Sequence, residues 1–267
     1  MLREPAVAGR FYPADPATLT NDVRSYLSPP GPLIKARGCV VPHAGYMYSG
    51  QVAGAVFSRL EIPTHCIILC PNHTGRGHPL AVVNEGEWRT PLGKVEIDSG
   101  LASELIEAFP ALTPDAAAHQ FEHAIEVELP FLQIIRPDIH FVPIAVGTSR
   151  WLLLEQLGLS IAQTVRATSD GILIIGSSDM NHYEDDATTR VKDRKAIDQI
   201  LALNPAGLYQ TVMNESISMC GFGPTVAMLT AAKELGATRA ELIQYATSGD
   251  ISGDRDAVVG YAGIAIC

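Results

Sequence analysis

Three histidines each stand just after a short apolar segment, in a turn that also carries polar residues. They are His43 after residues 38–42, His73 after residues 65–70 and His182 after residues 171–175. Apolar segments of this length, bounded by proline, glycine or polar residues, are typical of buried strands. Parallel strands bring their carboxyl ends to one edge of a sheet, where ligands bind. The pattern therefore predicts that the three histidines line one pocket.

Cys220 is the cysteine that fits a metal site best. It lies in a turn before a helix predicted from Pro224, whereas the other four cysteines lie in apolar, strand-like segments. A helix N-terminus and a bound metal both favour the thiolate over the thiol, so we expect a reactive thiolate here. Imidazole and thiolate ligands suit zinc, iron and copper. His43, His73 and Cys220 are therefore candidate metal ligands, and three protein ligands leave one coordination position open.

Other polar residues are candidates for the same pocket. Asp179 lies three residues before His182 and could fix its tautomer by a hydrogen bond, or could merely cap a turn. His182 is then a candidate acid/base, or a further ligand. Glu122 and His123 precede the apolar part of a predicted helix, and they could point into the cleft or lie at a solvated helix start. Tyr46, shortly after His43, is a further candidate for the pocket wall.

The composition is that of one globular domain. The chain has 267 residues, of which 47% are hydrophobic, and this is enough to bury a full core. Segments with the periodicity of strands alternate with helical segments, and neither a linker nor a repeat interrupts them. We predict a single α/β domain over residues 1–267, with a central mostly parallel or mixed sheet flanked by helices.

Charge and apolar patterning argue against several classes of protein. The 19 basic and 29 acidic residues give a net charge of −10, and no Lys/Arg cluster indicates a nucleic-acid interface. The longest apolar runs are strand-sized, too short for a membrane span, and the first residues lack the apolar core of a signal peptide. The five cysteines form no C-x-x-C motif, so a disulfide framework is not expected. We expect a cytoplasmic protein.

Several short motifs also occur in an order that spans nearly the whole chain. They are residues 8–13, 42–46, 71–73, 89–93, 122–126, 177–182 and 220–221. Together they resemble the Memo family, whose prokaryotic members are also called AmmeMemoRadiSam system protein B. The resemblance implies a fold similar to that of the class III extradiol dioxygenases. Those enzymes hold iron(II) with two histidines and a glutamate, and use another histidine as acid/base.

The resemblance also implies roles for individual residues. His43 and His73 match the two histidine ligands, His182 matches the acid/base histidine, and Cys220 stands where the dioxygenases have glutamate. Memo relatives share this cysteine and are described as binding copper or iron, so the implied ion is iron(II) or copper, with zinc possible. A thiolate stabilises copper(I) and is itself oxidisable, which is a different chemistry from that of a glutamate ligand. The resemblance therefore supports the fold more strongly than it supports the ring-cleaving reaction. A functional link to radical SAM and AMMECR1-like proteins is implied as well.

Three functions are compatible with these residues. The first is a metal-binding protein with redox activity on an unknown small molecule. The second is a non-enzymatic module that binds a peptide or phosphopeptide in the same cleft. The third is a zinc-dependent hydrolase, in which His182 or Glu122 would activate a metal-bound water. Metal identity and oxygen consumption distinguish them.

Overall fold

A computed structural model describes residues 1–27, 31–168 and 171–267 of the chain. Its helices are α1 (Pro16–Tyr26), α2 (Tyr46–Arg59), α3 (Ser99–Ala108), α4 (Ala124–Ile135), α5 (Trp151–Ala167), α6 (Asp186–Leu201), α7 (Pro205–Asn214), α8 (Phe222–Glu234) and α9 (Gly249–Ser252). Its strands are β1 (Leu2–Arg3), β2 (Gly38–Val41), β3 (His65–Pro71), β4 (Leu80–Val82), β5 (Glu87–Thr90), β6 (Gly93–Ile97), β7 (Thr113–Pro114), β8 (His140–Val146), β9 (Ile172–Ser177), β10 (His182–Glu184), β11 (Ala240–Thr247) and β12 (Val258–Ile266).

The strands form one mixed sheet, as predicted. Its order is β1-β5-β6-β8-β3-β9-β2-β12-β10, and β4, β7 and β11 are attached beside this path. The central strands β8, β3, β9 and β2 run parallel to one another, whereas β12 is antiparallel to both β2 and β11. The carboxyl ends of β2, β3 and β9 therefore meet at one edge, where the sequence places the candidate site.

Two hydrophobic cores cover the two faces of the sheet. In β3, Ile67 and Leu69 point into one core, which α3, α5, α6, α7 and α8 cover. Cys66, Ile68 and Cys70 alternate with them and point into the other core, which α1, α2 and α4 cover. Burial on both faces explains why the central strands are almost continuously apolar in the sequence. None of the helices in the described ranges has the length and apolar character needed to cross a bilayer.

The three predicted apolar segments are found as β2, β3 and β9, within two residues of their expected ends. Asp15 caps α1, since its carboxylate accepts a hydrogen bond of 2.9 Å from the amide of Thr18. Helix α2 begins at Tyr46, whose amide donates to the distant Phe11 carbonyl at 2.8 Å. Helix α4 continues through Pro130.

A buried ion pair fastens the first strand to α4. The Arg3 guanidinium donates to the Glu126 carboxylate at 2.8 Å, and to the carbonyls of His119 and Glu122. Glu126 is fully buried and also accepts hydrogen bonds from the amides of Ala6 and Val7 and from the Tyr12 hydroxyl. These contacts fix the beginning of α4, directly after two residues of the candidate site, Glu122 and His123.

Candidate metal centre

The predicted convergence of the three strand ends is confirmed. His43, His73 and His182 lie beyond β2, β3 and β9, and all three line one cavity of about 640 Å³. Asp179 and His123 line the same cavity. The parallel arrangement of β2, β3 and β9 explains this, since it places the turns after the strands side by side.

Three imidazole rings lie close enough together to bind one ion. One ligand atom from each of His43, His73 and His123 lies within 4.8 Å of the other two, and no other such set occurs in the described part of the chain. The rings of His73 and His123 stack with their centroids 4.7 Å apart, and that of His43 stands edge-on to both. Of the two positions that the sequence left open, His123 therefore points into the cavity and does not lie at a solvated helix start.

His43 is held from three sides. It is 1% exposed, and its amide donates to the Asp179 carboxylate at 2.9 Å. Its Nδ1 lies 2.7 Å from the Ser177 hydroxyl, and its Nε2 lies 3.3 Å from Cys220 Sγ. Burial and the neighbouring charge of His73 lower the pKa of His43 to about 3. The ring is therefore neutral, the form in which histidine binds a metal.

Glu122 orients His73 and the start of α4 together. This carboxylate is 1% exposed and accepts hydrogen bonds from the His73 amide at 2.6 Å and from His73 Nδ1 at 2.8 Å. It also accepts from the amides of His123 and Ala124. Burial alone would raise the pKa of Glu122, but the hydrogen bond and charge of His73 lower it to about 2. Glu122 is therefore an ionised positioning group, and its engaged oxygens argue against a role as the base.

The two histidines of this stack differ in the direction of their pKa shifts. Burial lowers the pKa of His73, but the hydrogen bond and charge of Glu122 outweigh it, so the net shift is upward. Burial and the charge of His43 lower the pKa of His123 to about 4. Phe11 packs against the His123 ring with a centroid separation of 4.8 Å, which contributes to this burial. His123 is thus a neutral donor beside a more basic His73.

Cys220 lies beside His43, but outside the set of three imidazoles. Its half-buried sulfur contacts His43 Nε2, which agrees with a place among the metal ligands. The expectation of a thiolate in the metal-free protein is not supported. Burial and the negative charge of Asp179 raise the pKa of the Cys220 thiol, so the sulfur keeps its proton until a cation is near. Gly221 permits this approach, because a Cβ there would collide with the Ser177 carbonyl and Ser178.

Asp179 does not orient His182, contrary to expectation. Its carboxylate turns toward the backbone of β2 and accepts from the His43 amide, whereas His182 begins β10, which pairs with β12. His182 Nδ1 lies 2.9 Å from the Ser218 carbonyl, and the His182 amide donates to the Ser218 hydroxyl at 2.8 Å. Since a carbonyl only accepts, Nδ1 carries the proton and Nε2 is left to accept one. Ser218 is thus the orienting residue, 36 positions away in sequence.

Tyr46 supports the site without lining it. Its side chain is 3% exposed and its hydroxyl donates to the Val127 carbonyl at 2.9 Å, so it joins α2 to α4 within the core. Tyr48 lines the cavity instead, together with Tyr183 and Tyr261. The tyrosine in the cavity wall is therefore two residues beyond the predicted one, because Tyr46 begins α2 and turns toward the core.

Replacing Glu122 by glutamine should weaken metal binding by about 10–100-fold, the usual effect of losing a partner that orients a metal ligand. The amide retains the shape of the carboxylate, but it cannot accept on both sides from His73 and the start of α4. Titration of the metal-free variant with cobalt(II) measures the change. Glu96→Gln is the matched control, because Glu96 approaches only the half-exposed His140. Equal affinities for both variants would contradict the positioning role.

Comparison with known proteins agrees with this architecture. Residues 3–265 match the Memo family, described as Memo-like protein. A MEMO1 family protein of Methanothermobacter thermautotrophicus is 39% identical over 98% of this chain and 99% of its own length. A MEMO1 family protein of Methanopyrus kandleri is 43% identical over 99% of this chain and 98% of its own length.

A solved structure supports the fold at a greater distance. An uncharacterized protein of Escherichia coli K12 aligns with a TM-score of 0.57 and 12% identity, covering 86% of this chain and 100% of that chain. At this identity the likeness concerns the fold alone, which is the class III extradiol dioxygenase-like α/β fold expected from the sequence. Family match and full-length relatives agree, and the chain belongs to the Memo family.

Proposed function

We propose that this protein binds an iron or copper ion at the carboxyl edge of the sheet and uses it for redox chemistry on a small molecule. One observation carries the proposal. His43 and His73 both have Nδ1 held by a buried polar side chain, Ser177 and Glu122 respectively, and both line the cavity. Ligand histidines in metalloproteins are oriented in this way through the nitrogen that does not bind the ion.

The donor groups fit such an ion. His43 and His73 would supply Nε2, and Cys220 would supply a thiolate from beside His43. Imidazole combined with a soft thiolate suits iron and copper. His123 lies within the same cluster and is available as an additional donor. When bound, the ion would supply a Lewis acid with accessible oxidation states, and it would displace the proton of the Cys220 thiol.

His182 is the residue placed to move a proton. Its Nδ1 is bound to the Ser218 carbonyl, so its Nε2 can accept a proton from a hydroxyl or amine of a molecule in the cavity. Asp179 lines the same cavity, where its carboxylate accepts from the His43 amide. Phe11 and Tyr261 contribute aromatic rings to the wall of the same cavity.

A zinc-dependent hydrolase is the second candidate, and the set of three imidazoles favours it. His43, His73 and His123 without Cys220 would form a three-histidine donor set, as in some catalytic zinc sites. In that case the base would be His182, because both oxygens of Glu122 are engaged with His73 and the start of α4. The role of Cys220 therefore separates the two candidates.

The test compares two half-buried cysteines. Wild type, Cys220→Ser and Cys267→Ser are purified without oxygen, stripped of metal and titrated with iron(II), copper(I) and zinc. Cys220→Ser should lose most affinity for iron and copper, because a neutral hydroxyl replaces a thiolate, while Cys267→Ser should match wild type. Unchanged iron and copper affinity in Cys220→Ser, with tight zinc binding, would contradict the redox proposal and favour the hydrolase.

A further inference from the structure

Asn181 is a buried residue in the turn between β9 and β10, directly before His182. It is 1% exposed, and its main chain is fixed on both sides. Its amide donates to the Asp193 carboxylate at 2.8 Å, and its carbonyl accepts from the Gly260 amide at 3.0 Å. The Asn181 side chain therefore extends from a backbone that is already held in place.

The side chain of Asn181 bonds to a different segment with each of its two ends. Its Oδ1 accepts from the amide and from the hydroxyl of Ser218, each at 3.0 Å. Its Nδ2 donates to the Glu184 carboxylate at 2.6 Å, and Glu184 also accepts from Lys192. A main-chain amide only donates and a carboxylate only accepts, so these partners determine which end of the Asn181 side chain is the oxygen. The position therefore requires one acceptor and one donor on the same short side chain.

The backbone at His182 depends on support of this kind. Strand β10 has three residues, and its register with β12 shifts between His182 and Glu184. The intervening Tyr183 has a φ of 62°, a conformation that residues other than glycine rarely adopt. Such a conformation persists only where the surrounding contacts hold it. The short strand alone therefore does not fix the direction of the His182 ring.

Ser218 connects Asn181 to His182. Its hydroxyl accepts from the His182 amide at 2.8 Å, and its carbonyl lies 2.9 Å from His182 Nδ1. Ser218 lies between α7 and α8, outside any helix or strand, and its side chain is exposed. Because both its amide and its hydroxyl bond to Asn181, the position of the Ser218 carbonyl depends on that side chain.

We propose that Asn181 is a positioning residue that, through Ser218, holds His182 in the Nδ1–H tautomer and leaves Nε2 free to accept a proton in the cavity. The part of His182 in proton transfer rests on the proposed function, whereas the hold on its ring does not. Ser218 also lies two residues before Cys220. Asn181 therefore joins the segment of the acid/base to the segment of the candidate thiolate ligand.

Nitrogen chemical shifts of the histidine rings measure the tautomer in the metal-free protein. The His182 signal is identified by its absence in His182→Ala, and it should show Nδ1–H in wild type. Asn181→Leu has a similar shape but neither polar group, so Nε2–H, the form that imidazole side chains prefer in water, should become the main form. The ring of His65, which lies 2.7 Å from Asp98, should stay unchanged. Asn204→Leu removes an exposed asparagine that caps α7 and should leave His182 as in wild type.

An exchange of the amide and the carboxylate gives the second measurement. Asn181→Asp keeps an acceptor for Ser218 but repels Glu184, so the Nδ1–H share of His182 should fall. Adding Glu184→Gln places a donor opposite the introduced carboxylate and retains the net charge of wild type, so this double variant should regain Nδ1–H. If Asn181→Leu does not fold, the single and double exchange variants decide.

A His182 ring that keeps the wild-type share of Nδ1–H in Asn181→Leu or in Asn181→Asp would overturn the proposal. A double variant that stays as shifted as Asn181→Asp would overturn it as well. Metal content tests the proposed function separately. A tautomer that depends on Asn181 in a protein that binds neither iron nor copper would support the positioning role and contradict the proposed function.

Discussion

Replacing His43 by alanine is expected to abolish metal binding, with a loss of affinity of more than about 100-fold. The loss should exceed the 10–100-fold that follows removal of an orienting partner, because His43 itself donates to the ion. It contacts Cys220 and also belongs to the cluster with His73 and His123, so either donor set requires it. Metal content per chain after anaerobic reconstitution measures the effect.

The matched comparison is His182→Ala. His182 lines the same cavity, but its ring is held by Ser218 rather than by the cluster, so this variant should retain most of the metal while losing activity. His140→Ala provides a further control away from the cavity, at the beginning of β8. Equal metal loss in His43→Ala and His182→Ala would make His182 a primary ligand and contradict this division of roles.

Replacing Arg3 by methionine should lower the free energy of unfolding by about 3–5 kcal/mol, the cost of leaving one member of a buried ion pair without its partner. The side chains of Arg3 and Glu126 are 3% and 0% exposed, so water cannot replace the lost guanidinium. Glu126 would keep the hydrogen bonds from Ala6, Val7 and Tyr12, but not the opposite charge. Urea unfolding followed by circular dichroism measures the change.

An exposed ion pair supplies the control for this experiment. Arg89 lies 3.6 Å from Glu4, with side chains 47% and 62% exposed, so Arg89→Met should cost at most about 1 kcal/mol. The double variant Arg3→Met/Glu126→Gln removes both charges and should recover part of the loss. A cost below about 1 kcal/mol for Arg3→Met would show that the pair does not hold β1 against α4.

The fold was predictable where local pattern and tertiary burial agree. The apolar segments at 38–42, 65–70 and 171–175 are β2, β3 and β9, because strands buried on both faces are apolar at every position. The short strands β1, β7 and β10 have no such pattern. They exist through pairing with β5, β4 and β12, and partners so distant in sequence leave no local signal.

The candidate site was predictable for residues that directly follow a strand. His43, His73 and His182 were found because parallel strands bring their ends together. The sequence does not decide where the His123 side chain points, because helical spacing does not tell whether the first turn of a helix faces solvent or a cavity. The orienting partners were the hardest to predict. Ser177 lies 134 positions from His43, and the role expected for Asp179 belongs to the backbone and hydroxyl of Ser218.

Glu122 has a consequence for any attempt to redesign the protein. The Glu122 carboxylate aligns the ring and backbone of His73. It also accepts hydrogen bonds from the amides of His123 and Ala124, at the beginning of α4. A saturation library selected for metal retention should therefore reject substitutions at position 122 almost as strictly as those at the ligands. A new coordination sphere grafted onto this edge would have to be designed around that carboxylate, since moving it displaces two imidazoles together.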